Sequence, residues 1–160
     1  MKPRQQVHLL HLALALFLLG SGLPPAASQL VGPEFQVNSF TTGFQYKQAV
    51  AASGSGNFVV VWQSSGQDGS DAGVFGQRFD GAGTPLGTEF QVNSYTTSYQ
   101  RSPAVAADGS GNFVVVWESA AQDGSTSGVF GQRFDSAGIP QGSEFQVNSY
   151  TTSYQSAPAV

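Results

Sequence analysis

Apolar and polar positions along this chain fall into a few short patterns, and each pattern returns. Residues 89–94, Glu-Phe-Gln-Val-Asn-Ser, alternate, with Phe90 and Val92 on one face and Glu89, Gln91 and Asn93 on the other. Period two is the signature of a half-buried or edge strand. Ala-Val-Ala-Ala at 104–107 is short and nearly all small, and Asp-Gly-Ser-Gly-Asn at 108–112 is a glycine-rich turn that permits positive φ. Phe-Val-Val-Val-Trp at 113–117 is continuously apolar and β-branched, which predicts a strand buried on both faces. Residues 128–135 alternate again, placing Phe130, Gln132 and Phe134 opposite Val129, Gly131 and Arg133, before Ser136, Ala137 and Gly138 turn the chain. The pattern predicts four short strands separated by turns.

The set repeats with a period of 55 residues. Glu-Phe-Gln-Val-Asn-Ser begins at Glu34, Glu89 and Glu144, Phe-Val-Val-Val-Trp at Phe58 and Phe113, and Gly-Val-Phe-Gly-Gln-Arg-Phe-Asp at Gly73 and Gly128. About 39 of 55 positions match between units 34–88 and 89–143, and a partial third unit occupies 144–160. Four antiparallel strands in a unit of this length suit one blade of a β-propeller, whose blade repeats run to about 40–50 residues. Strand character agrees. Middle strands of a blade are covered on both sides, as Phe-Val-Val-Val-Trp requires, and the innermost strand sits where space is tightest, as Ala-Val-Ala-Ala allows.

The expected fold is therefore all-β, two blades of a propeller and the start of a third. An immunoglobulin-like sandwich needs about 100 residues and seven strands. A β-solenoid is the stronger rival, but tight Gly and Asn turns favour hairpins over parallel coils. Closure takes at least about four blades. Further repeats in a longer reading frame, or other copies, are the expected means of closing the fold.

Residues 1–28 read as a secretory signal peptide and stand outside this pattern. Lys2 and Arg4 precede an apolar run at 9–19, which ends at Gly20 before Pro24, Pro25 and the small residues Ala26 and Ser28. Cleavage is expected near Ser28, giving a secreted or cell-surface product, residues 29–160, with no membrane span. Cleavage would also remove His8 and His11, the only histidines, and the chain has no cysteine. Four strong bases, Lys47, Arg78, Arg101 and Arg133, then face ten Asp and Glu, a formal charge of −6. No basic footprint for nucleic acid exists. Without disulfides, stability must come from burial and sheet pairing.

The same residues resemble a repeat of long exported bacterial proteins. In that repeat a Glu-Phe-Gln-Val-Asn strand precedes an Asp-Gly-rich turn, a Val-Val-Trp strand, a Gln-Asp-Gly loop and a Gly-Gln-Arg-Phe-Asp strand. The resemblance covers residues 34–160 and implies a β-propeller-like fold. Some proteins of this kind carry haemolysin-type calcium-binding segments, but no Gly-Gly-x-Gly-x-Asp nonapeptide is present here.

Chemistry is narrowed by what remains. Nucleophilic triads and the common zinc sites need His or Cys. Paired carboxylates of the glycosidase kind could come from Asp68, Asp71, Asp80, Glu118, Asp123 and Asp135, yet most recur in both units, which favours a structural role. Arg78 with Asp80, and Arg133 with Asp135, read as surface ion pairs or polar contacts between blades. Trp62 and Trp117, closing Val-Val-Val strands, read as core rather than sugar-stacking residues.

Calcium is the one cofactor the loops at 67–71 and 108–112 suggest, through hard oxygen ligands. Asx-turns explain both loops, and no cofactor is expected. The expected function is a non-catalytic scaffold or recognition module for a protein or carbohydrate ligand. The alternative is the accessory part of a secreted carbohydrate-active hydrolase. Loops 67–72 and 122–127 are the expected contact regions, with Gln67, Asp68, Asp71, Gln122 and Asp123 as candidate ligand residues.

Overall fold

A computed structural model of the chain describes residues 32–160; the leader and its cleavage point lie outside them. The described residues form eight strands: β1 Gln45–Ala52, β2 Phe58–Ser65, β3 Ala72–Phe79, β4 Phe90–Gln91, β5 Gln100–Ala107, β6 Phe113–Ala120, β7 Ser127–Phe134 and β8 Phe145–Gln146. They make two four-stranded antiparallel sheets, ordered β1-β2-β3-β4 and β5-β6-β7-β8, and no closed ring. Among these residues no helix is long and apolar enough to cross a membrane.

Local chemistry sets each element. In the β5–β6 turn, Asp108 Oδ1 accepts from the amides of Ser110 and Asn112, both at 2.9 Å. Gly111 follows at φ 88°, a conformation that L side chains rarely adopt. Gly76 pairs with Phe90 across β3 and β4, and a Cβ there would lie 2.9 Å from the Phe90 ring. Glycine leaves that ring its seat.

The Glu-Phe-Gln-Val-Asn strands are shorter than their alternation suggests. β4 and β8 hold two residues each, and residues 34–39 form no strand. Beyond Gln91 a side chain takes over from the ladder: Asn93 Oδ1 accepts the Val74 amide at 2.7 Å, while the Val92 amide donates to the Val74 carbonyl at 2.8 Å. Asn148 treats Val129 in the same way.

The two sheets pack through one core. Val59, Val61 and Val74 of the first meet Val105, Phe113, Val115, Trp117, Phe130 and Phe134 of the second, with Val92 between them. A smaller cluster on the first sheet's other face gathers Val60, Trp62, Phe75 and Phe79 under Val37. Each fully buried Val or Phe contributes about 1.5–3 kcal/mol, so the shared core dominates stability. Trp62 and Trp117 are both core, as their position at the end of a Val-Val-Val strand predicts.

Outer segments also reach across units. Phe90 belongs by hydrogen bonding to the first sheet, yet its ring lies 5.5 Å from Phe134 and 6.3 Å from Phe113 of the second. Phe35 approaches Phe79 of the first sheet at 5.3 Å in the same manner.

Candidate functional site

Polar residues of the repeated hexapeptide are spent on the frame. Glu89 Oε2 accepts from the Ser39 amide at 2.7 Å and the Ser39 hydroxyl at 2.9 Å, and Glu144 takes Ser94 likewise at 2.8 and 3.0 Å. The other carboxylate oxygen of each accepts from Gln67 Nε2 and Gln122 Nε2 respectively. Each glutamate thus staples one unit's outer segment to the preceding one.

Four of the five sequence-derived candidates therefore have internal duties. Gln67 and Gln122 hold the staples. Asp68 and Asp123 accept the amides of Ser70 and Ser125 at 3.0 Å, closing Asx-turns, and their second oxygens are buried over Gly73 and Gly128. The fifth, Asp71, stands apart at the rim of a groove.

That groove runs along the inner strands, has a volume of about 820 Å³ and is open to solvent. It lies where β1 and β5 begin, together with residues 156–158 of the third unit and the end of the β2–β3 loop. A β-bulge shapes it. Tyr46 pairs with Gln63 and Ala49 with Val61, so one extra residue is accommodated between them; Arg101, Glu118, Ala104 and Val116 repeat the shift. Lys47, Ser102 and Ala157 occupy the same place in three units with φ of 56°, 52° and 55°. Non-glycine residues in this left-handed region cost about 1–2 kcal/mol each, so the frame holds them there.

Two cross-strand pairs present side chains to the groove. Gln63, 4% exposed, donates through Nε2 to the Tyr46 hydroxyl at 2.7 Å. At the equivalent place in the next sheet, Arg101 Nη2 meets Glu118 Oε1 at 2.6 Å, and Glu118 is 2% exposed. The Arg101 guanidinium also lies 4.3 Å from the centre of the Tyr99 ring. The hydrogen bond from Arg101 to Glu118 raises the guanidinium's pKa, with the coulombic attraction of Glu118 adding to it against partial burial.

Sequence reading missed this groove, though its signal was present. Residues 46–48 are Tyr-Lys-Gln, 101–103 Arg-Ser-Pro and 156–158 Ser-Ala-Pro, while the following Ala-Val is the same in all three. Every residue lining the groove falls at a position where the units differ.

The expected Arg–Asp ion pairs are not formed. Arg78 donates to the Ala137 carbonyl of the next unit and Arg133 lies over the Phe145 ring, whereas Asp80 and Asp135 cap turns. Arg78 keeps the expected contact between units. Among the described residues no cluster of three or more His, Cys, Asp or Glu has metal-site geometry.

No protein-family model matches the chain, and no curated protein matches it. Among solved structures, an endo-arabinase from Bacteroides thetaiotaomicron aligns with a TM-score of 0.46 at 14% identity, over 73% of this chain and 47% of that one. The chain spans less than half the length of that enzyme.

Proposed function

We propose that the two sheets are successive blades of a β-propeller and that the chain is a non-catalytic recognition module acting outside the cell, with its ligand seated in the inner-strand groove. One observation carries this reading. Between units the frame is nearly invariant, and every residue lining the groove lies at a position that differs, about half of all such positions. Residues that hold a fold must be kept in every unit; residues that meet a ligand are free to differ around the ring.

The inner-to-outer strand order and the outer segment's reach onto the next sheet favour a blade. The leader favours export. The state of the carboxylates favours binding over catalysis. Among the described residues, Asp71 is the only carboxylate with neither a side-chain hydrogen bond nor an ion pair, Glu34 being engaged. Acid–base hydrolysis of a glycoside calls for two carboxyl groups facing each other across the sugar, and of the two that line the groove Glu118 is committed to Arg101.

Grafting one unit's groove residues onto another tests the reading. Replacing Tyr46, Lys47, Gln48 and Gln63 by Arg, Ser, Pro and Glu reproduces what the second unit already carries. Stability should change by less than about 1 kcal/mol in denaturant melts, because buried Gln63 is exchanged together with its partner Tyr46 for the pair that Arg101 and Glu118 already form. A loss of several-fold that size would mean the four residues serve the fold, and the groove reading would fall.

A further inference from the structure

We propose that the groove binds an uncharged carbohydrate chain, with the Tyr46 ring as stacking platform and Arg101 as the principal hydroxyl-binding group; this rests on the reading of the groove as the ligand site. A sugar offers an apolar C–H face and a rim of hydroxyls. Sites that hold one combine an aromatic plane with polar groups fixed in advance.

The groove has both. Tyr46 is 43% exposed, so its ring is available, and the Gln63 anchor at its hydroxyl fixes the ring's direction. Arg101 is held at one end by Glu118 and from beneath by Tyr99, while its side chain remains 39% exposed. Two immobilised planar groups lower the entropy cost of binding, which otherwise takes about 0.5–1.5 kcal/mol for each long side chain ordered. Gln48, Ser102 and Ser156 supply further donors and acceptors at the same rim.

Charge argues against a polyanion. Lys47 and Arg101 are balanced by Asp71 and Glu118, so the lining carries no net charge. A peptide is disfavoured as well. Apart from the tyrosine rings, the apolar lining consists only of Ala72, Ala157, Pro103 and Pro158, which form no pocket for an apolar anchor.

Affinity electrophoresis of the full chain decides it, using gels cast with xylan, arabinan, galactomannan or a β-glucan as neutral probes and polygalacturonate as the acidic one. At least one neutral polysaccharide should retard the protein and polygalacturonate should not. Tyr46→Ala and Arg101→Ala should each weaken that retardation at least tenfold, and Tyr46→Phe, which keeps the ring, should weaken it less than threefold. Melting curves of each variant separate lost binding from lost fold, and Gln48→Ala, which leaves both anchored pairs intact, should weaken binding two- to fivefold without any change in melting.

Retardation by polygalacturonate alone, by none of the neutral polysaccharides, or undiminished in Tyr46→Ala overturns the carbohydrate proposal. The groove reading itself stands or falls on the stability of the four-residue graft, so the two failures are distinguishable.

Discussion

Val92 and Val147 hold the same place in the same hexapeptide, yet the first is 5% exposed and the second 51%. The inner strands show the contrast in reverse order. Val105 in β5 is 9% exposed against 40% for Val50 in β1, within identical Ala-Val-Ala-Ala segments. Sequence is constant and environment is not. Burial at these positions follows from what lies against each face: the second sheet over Val92 and the first over Val105, with Val37 covering the first sheet's other face.

Substitutions at paired positions can break that comparison. The largest effect is expected at Trp117, enclosed between the sheets, where Trp117→Ala should cost about 3–5 kcal/mol in a denaturant melt. Trp62→Ala on the first sheet's other face should cost less, because its cluster is smaller and covered chiefly by Val37. Equal losses at the two sites would show that cover from a neighbouring sheet adds little. Next comes the valine pair. Val92→Ala should cost about 2 kcal/mol through lost transfer and a residual cavity, whereas Val147→Ala should stay within about 0.5 kcal/mol. If the two valines behaved alike, the second sheet's outer face would be covered in solution by another molecule.

The smallest effect separates the hairpin turns. Asp108 closes the second unit's turn, and Asn112, first through its side chain, with the Ser110 and Gly111 amides, holds the carboxyl below its ordinary value of 3.8. Ser53 stands in its place in the first unit and does not titrate. A depressed folded pKa gives stability that is full above the ordinary value and lost as pH falls through the lowered one. Amide exchange at Gly111 and Asn112 should therefore quicken below about pH 3.8, relative to Gly56 and Asn57. Parallel acceleration in both turns would remove Asp108 as the cause.

Much of the fold was legible in the chain and little of the candidate site. Periodicity predicted four strands per unit because side-chain alternation and continuous apolar runs report burial directly, and Phe113 to Trp117 behaved accordingly. The length of the Glu-Phe-Gln-Val-Asn strand was not legible. Asn93 replaces a rung of the ladder with its own amide, and alternation is blind to that substitution. The loop candidates looked like ligand residues because Gln and Asp beside glycine suit hard-oxygen chemistry, and the same chemistry builds staples and Asx-turns. The groove depends on a bulge, a one-residue irregularity without a hydrophobic signature. Only comparison of unit with unit exposes it.

The staple between Ser39 and Glu89 joins residues 50 positions apart, as does the one between Ser94 and Glu144. This spacing bears on the order in which the chain matures. The first sheet has no finished core when its own strands are paired, since Val59, Val61 and Val74 wait for β5 to β7 to arrive. Native contacts of high sequence separation slow folding, and here they fall at a constant interval set by the repeat. As the chain folds, each unit should remain half-finished until the next has paired, and folding should advance along the chain one unit at a time.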